Sequence, residues 1–97
     1  MSFVIDNIVY YEKGDQIVYI PTHANFDLNH QDCEFGFVWK DKQTDAVFCR
    51  YWRKGKPGEL RTKANSELTP RNLLFSFKSV SDRIITETLQ EIERSNL

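Results

Sequence analysis

Short β-branched and aromatic runs bounded by polar turn residues fill the middle of the chain, and apolar positions recur with a period near 3.6 at its end. Gln16-Ile17-Val18-Tyr19-Ile20 is β-branched and aromatic and is closed by Pro21, which predicts a strand. Phe35 to Lys40 predicts a second, with Gly36 inside it marking a bulge or a close backbone approach. Ala46 to Trp52 predicts a third. Its alternation sets Val47, Cys49 and Tyr51 on one face, and Phe48, Arg50 and Trp52 on the other. Turn chemistry separates these runs at Lys13-Gly14-Asp15, at Asp41 to Asp45 and at Lys54 to Glu59. Leu60 to Ala64 reads as a further short strand. Thr69 and Pro70 suit the cap and first position of one helical turn, ahead of a closing strand that ends near Phe77. Ile8 to Tyr11 reads as a short strand or an extended arm.

The period changes after Lys78. Val80, Ile84, Ile85, Leu89 and Ile92 recur at helical spacing, so residues 79–97 predict an amphipathic helix capped by Ser79 or Ser81. Its apolar stripe packs on the domain or pairs with another copy as a dimer. Short strands, a long first loop, tight hairpins and a helical turn before the last strand describe a mainly β fold, a small SH3-like barrel. The expected organisation is a barrel over 1–78 with an N-terminal arm at 1–13, followed by the helix over 79–97.

Ninety-seven residues make one domain with a modest core. No apolar run approaches the roughly 18 residues of a membrane span, and the first residues lack the pattern of a signal peptide. The expectation is a cytosolic protein with Cys33 and Cys49 as reduced thiols. Net charge is −1 but unevenly spread. Residues 1–39 carry one basic and six acidic groups, whereas residues 40–78 carry ten basic and four acidic ones. That asymmetry either folds onto itself or marks a surface for an anionic partner.

Both histidines and one of the two cysteines fall between His23 and Cys33, in a polar stretch from 22 to 34 that reads as one long loop. His23, His30 and Cys33 offer zinc a ligand set, with Asp27 available to complete it. The spacing lacks the paired CxxC or HxxxH elements of a strong zinc signature. Against it stands a loop held by turns from Asp27, Asn29, His30 and Asp32, with Cys33 a small buried apolar residue. A cysteine nucleophile is disfavoured because Asp32 and Glu34 flank Cys33 and would raise its pKa. The expectation is a protein without catalytic residues.

Two surfaces are candidates for macromolecular binding. Lys40, Lys42, Arg50, Arg53, Lys54, Lys56, Arg61 and Lys63 interleave with aromatic residues, as a nucleic-acid surface requires. Phe26, Leu28, Trp39, Tyr51 and Trp52 are candidates for a shallow protein-binding groove. Phe26 and Leu28 stand out because apolar residues in a polar loop either pack beneath it or face a partner. A protein partner is the favoured expectation, since the net charge lacks the basic excess of nonspecific nucleic-acid binders.

Gly14-Asp15-Gln16-Ile17-Val18-Tyr19-Ile20-Pro21-Thr22-His23-Ala24 leads into Asp27, His30, Asp32-Cys33-Glu34 and Gly36. This stretch resembles a family of small uncharacterised phage and prophage proteins with a GDxVxYIPxHAxGDxxHxDCExGxV pattern. Ala46 to Tyr51 and Thr69 to Leu73 extend the resemblance more weakly. It implies an SH3-like barrel in a phage or mobile-element setting, in the cytoplasm of a bacterial host, and it implies no activity. Phe26 departs from the pattern by standing where Gly is expected, and Phe37-Val38-Trp39 replaces a Val-Ser-Ser run. Glycine at position 26 would admit a left-handed turn that phenylalanine adopts only at a cost.

Overall fold

The computed structural model describes residues 2–54, 56–62 and 66–78, together with their side chains except those of Lys56 and Pro57. The expected helix over 79–97, and the dimer contact assigned to it, lie outside these residues. The described chain is mainly β. β1 (Phe3–Ile5) and β2 (Ile8–Tyr10) form a hairpin of their own. β3 (Gln16–Tyr19), β4 (Glu34–Lys40), β5 (Ala46–Arg53), β6 (Lys56–Leu60), β7 (Glu67–Pro70) and β8 (Leu74–Ser76) form an antiparallel six-stranded sheet. Two short 3-10 helices, Thr22–Ala24 and Arg71–Leu73, interrupt the connections.

The strand order is β6-β5-β4-β3-β8, and β7 also pairs with β5. One edge of β5 is thus shared: Ala46 to Cys49 pair with β7, while Trp52 and Arg53 pair with β6. Among the described strands β7 and β8 do not pair with each other, so the hydrogen-bonded ladder stays open and no closed barrel forms. Three sequence expectations change here. β6 occupies part of the expected 54–59 turn, β7 includes the expected Thr69 cap, and of the strand expected at 60–64 the described residues 60–62 place only Leu60 in a strand, at the end of β6. The expected N-terminal arm is a hairpin whose central residues, Asp6 and Asn7, both have positive φ, as a type I′ turn requires.

Side-chain alternation divides the core in two. The inner face buries Ile17, Val38, Val47, Cys49 and Tyr51, closed by Tyr11 and Leu74. The outer face buries Val18 and Ile20 under Ala24 and Cys33 of the long loop, with Leu28, Phe35 and Phe75 packed beside them. Ile17, Val18, Val38 and Val47 are fully buried, each stabilising the fold by roughly 1.5–3 kcal/mol. Gly36 marks the close approach expected from its position in a strand: a Cβ there would lie 2.1 Å from the Arg50 carbonyl oxygen.

A half-buried ion pair ties the hairpin to the sheet. Arg71 Nη2 donates to Asp41 Oδ1 at 2.6 Å, and Nη1 donates to Oδ2 and to the Val9 carbonyl at 2.8 Å each. Asp41 also accepts the N–H groups of Tyr11 and Gln43 at 2.9 and 2.8 Å. Burial works against the Asp41 carboxylate, yet these donors, Arg71 first among them, outweigh it and hold the pKa below the usual carboxylate value.

Candidate functional site

The loop between β3 and β4 is folded upon itself. Asn25 and Phe26 both adopt left-handed backbone, with φ of 50° and 59°, and reverse the chain after the first 3-10 helix. Asp27 N–H then donates to the Ala24 carbonyl, His30 N–H to the Asp27 carbonyl and Cys33 N–H to the His30 carbonyl. Asp27 Oδ1 accepts the Asn29 N–H at 3.0 Å, which is an Asx turn. Cys33 points under the loop, 2% exposed, and its thiol donates to the Asp27 carbonyl at 3.3 Å. Burial, reinforced by the Asp27 charge, pushes the Cys33 pKa up, the opposite of what an activated nucleophile needs.

His23, His30 and Asp32 meet on the outside of the loop. His23 Nε2 lies 2.6 Å from Asp32 Oδ2, and His30 Nδ1 lies 3.9 Å from the same oxygen. The two imidazole rings are 5.2 Å apart and meet edge to face. The hydrogen bond from His23 holds the Asp32 carboxyl below its ordinary pKa. The structure therefore groups the two histidines with Asp32, whereas Cys33 is turned inward.

Beyond the loop, the outer face of β4 and β5 is aromatic. Phe37 packs against Trp52 with ring centroids 5.2 Å apart, and Phe35 meets Phe77 edge to face at 6.0 Å. Trp39 lies between two cations, Lys13 Nζ at 4.0 Å and the Arg50 guanidinium at 5.1 Å. Where the loop ends and this face begins, a groove of about 290 Å³ opens. Leu28, Cys33, Phe35 and Trp52 line it, and His30, Glu34, Arg53 and Lys54 supply its polar and charged groups.

The candidate protein-binding residues separate. Leu28 and Trp52 line the groove. Trp39 lies farther along the outer face. Phe26 is 48% exposed at the loop tip, with its ring edge to face against Phe75 at 5.0 Å. Tyr51 belongs to the core instead. It is 3% exposed, its hydroxyl lies 2.5 Å from Thr69 Oγ1, and its N–H donates to Thr62 Oγ1. Phe35 and Phe37 complete the aromatic face but were not among the sequence candidates. Their i, i+2 spacing with Trp39 is the signal that places them there.

The basic candidates do not form one free strip. Arg61 is shared between Glu34 and Glu67, both of which it contacts through its guanidinium. Arg53 reaches Glu59 at 3.5 Å. Arg50 stacks on Trp39, and its Nε is buried with no hydrogen-bond partner among the described residues. Lys40, Lys42 and Lys54 are exposed. Lys63 and the side chain of Lys56 lie outside the described structure.

A larger depression of about 530 Å³ lies between the β1–β2 hairpin and the 71–73 turn. The guanidinium that lines it, Arg71, is committed to Asp41 and to backbone carbonyls, so the smaller groove presents the more available chemistry. No helix among the described residues is long and apolar enough to cross a membrane. Comparison with known proteins adds no relative: no family model, no curated protein and no solved structure matches this chain.

Proposed function

We propose that the chain is a non-enzymatic SH3-like binding module whose groove takes an extended segment of a protein partner. The SH3-like assignment is supported by the order β8-β3-β4-β5-β7, the long loop after β3 and the 3-10 turn between β7 and β8. The motif likeness over residues 14–36 supports a phage or mobile-element setting, with a host or viral protein as partner. The observation that carries the binding assignment is the groove itself: an apolar floor of Leu28, Phe35 and Trp52 beside the cations Arg53 and Lys54. That pairing favours a segment with an aromatic or aliphatic anchor next to acidic residues.

Nucleic acid is the second reading, because aromatic rings and cations do share the outer face of β4 and β5. The pairing of Arg61 with Glu34 and Glu67 and the stacking of Arg50 on Trp39 reduce the charge free to meet phosphates, which favours protein. Selection of a displayed random-peptide library on the purified protein tests the choice. Enriched peptides should carry an apolar anchor with flanking acids, and Trp52→Ala should weaken them at least about tenfold, through loss of the aromatic floor on which the anchor packs. Absence of enrichment, together with a single-strand oligonucleotide complex whose affinity falls steeply with salt, would replace this reading by the second.

A further inference from the structure

We infer that His23, His30 and Asp32 form a binding site for a divalent transition-metal ion of the zinc class, on the outer side of the 20–33 loop. One ligand atom from each of the three side chains lies within 4.8 Å of the others. Two imidazole nitrogens and a carboxylate oxygen are the borderline donors zinc prefers. Their meeting is a product of the fold. His23 sits in the first 3-10 helix, Asp32 lies at the far end of the loop, and the left-handed pair Asn25 and Phe26 turns the chain so that the two face each other.

The geometry needs only a small expansion. A tetrahedral ion with bonds of about 2.0–2.1 Å holds its donors about 3.3 Å apart. His23 Nε2 gives up the proton it shares with Asp32 Oδ2, the neutral ring carrying its proton on Nδ1 instead, and the two atoms, now 2.6 Å apart, move outward to admit the ion between them. His30 Nδ1, 3.9 Å from the same oxygen, moves inward. Nδ1 is the ligand atom of His30 because it is the ring nitrogen that lies 3.9 Å from Asp32 Oδ2 and carries a lone pair, which accepts the Asp32 N–H at 3.0 Å. The ion takes the place of that N–H, and Nε2 keeps its proton. His23 and Asp32 are 63% and 49% exposed, so an ion reaches the site from solvent and the side chains are free to shift. Three protein ligands leave the fourth position to water.

The site differs from the set that sequence spacing nominates, because Asp32 replaces Cys33. The same ion would link the start of the loop to its end. It would thereby fix the wall of the neighbouring groove that His30 and Leu28 provide.

Titration of tag-free protein with Zn²⁺ by calorimetry, and with Co²⁺ by absorption spectroscopy, tests the site. The expected result is about one ion per chain, a four-coordinate cobalt spectrum and no thiolate-to-metal charge-transfer band. His23→Gln and Asp32→Asn should each weaken binding at least tenfold while circular dichroism stays native. Cys33→Ala should bind like the parent. Absence of Zn²⁺ binding up to millimolar concentration, unchanged affinity in His23→Gln, or a thiolate band lost in Cys33→Ala would each overturn the assignment.

Discussion

Phe26 shows how one residue combines strain and contact. Its φ of 59° is a conformation that costs an L-residue about 1–2 kcal/mol. The edge-to-face contact with Phe75 returns roughly 0.5–1.5 kcal/mol and fixes the loop tip. The two contributions are separable. Phe26→Ala loses the ring and keeps the strained backbone, whereas Phe26→Gly loses the ring and relieves the strain. Phe26→Gly should therefore unfold at higher urea than Phe26→Ala, by roughly 0.5–1 kcal/mol once the greater freedom of glycine in the unfolded chain is counted. The reverse order would show that the left-handed turn carries no strain. The motif likeness had already singled out position 26 as one suited to glycine. Tyr51 was less legible, because alternation grouped it with Val47 and Cys49 but a period of two does not say which face is inside.

At the scale of elements, β3, β4 and β5 were legible because each is a short run rich in β-branched and aromatic residues bounded by turn residues. β6 was not, because Lys56-Pro57-Gly58 has turn composition; its place is an edge position beside β5, where a proline is tolerated. β7 was hidden by Thr69-Pro70, which locally resembles a helix start and is recruited into the sheet through pairing with Ala46 and Val47. The Asp41–Arg71 clamp spans 30 residues and leaves no short-range trace in the sequence. Its energetics are directly testable. The folded-state pKa of Asp41 lies below its unfolded value, so its stabilisation is present above the ordinary carboxylate pKa of about 3.9 and disappears as pH falls through the lower folded value. Asp41→Asn should cost about 2 kcal/mol at pH 7, because half-buried Arg71 loses its charged hydrogen-bond acceptor. The difference between Asp41→Asn and the parent should shrink in urea melts below pH 4. A difference that stays constant down to pH 2 would contradict the assignment.

At the scale of the molecule, the sheet carries apolar residues on both faces, and the two are covered differently. The inner face is closed by Tyr11 and Leu74. Among the described residues, the outer face is covered in part by a loop that brings its own Ala24, Leu28 and Cys33. The groove is the seam this partial cover leaves. The polar composition of residues 22–34 identified a loop but not its second core, since Cys33 and Leu28 are separated by four residues and reach the sheet only because the chain reverses at Asn25 and Phe26. The charge asymmetry of the sequence is partly resolved within the fold: Glu34 of the acidic segment pairs with Arg61 of the basic one.

Hydrogen exchange, compared between the free protein and its complex with a selected peptide, tests the central claim most directly. Binding at the seam predicts new protection in residues 28–35 and 50–54, with little change in the β1–β2 hairpin. Protection confined to the hairpin or to residues 40–48, with the seam unchanged, would contradict it.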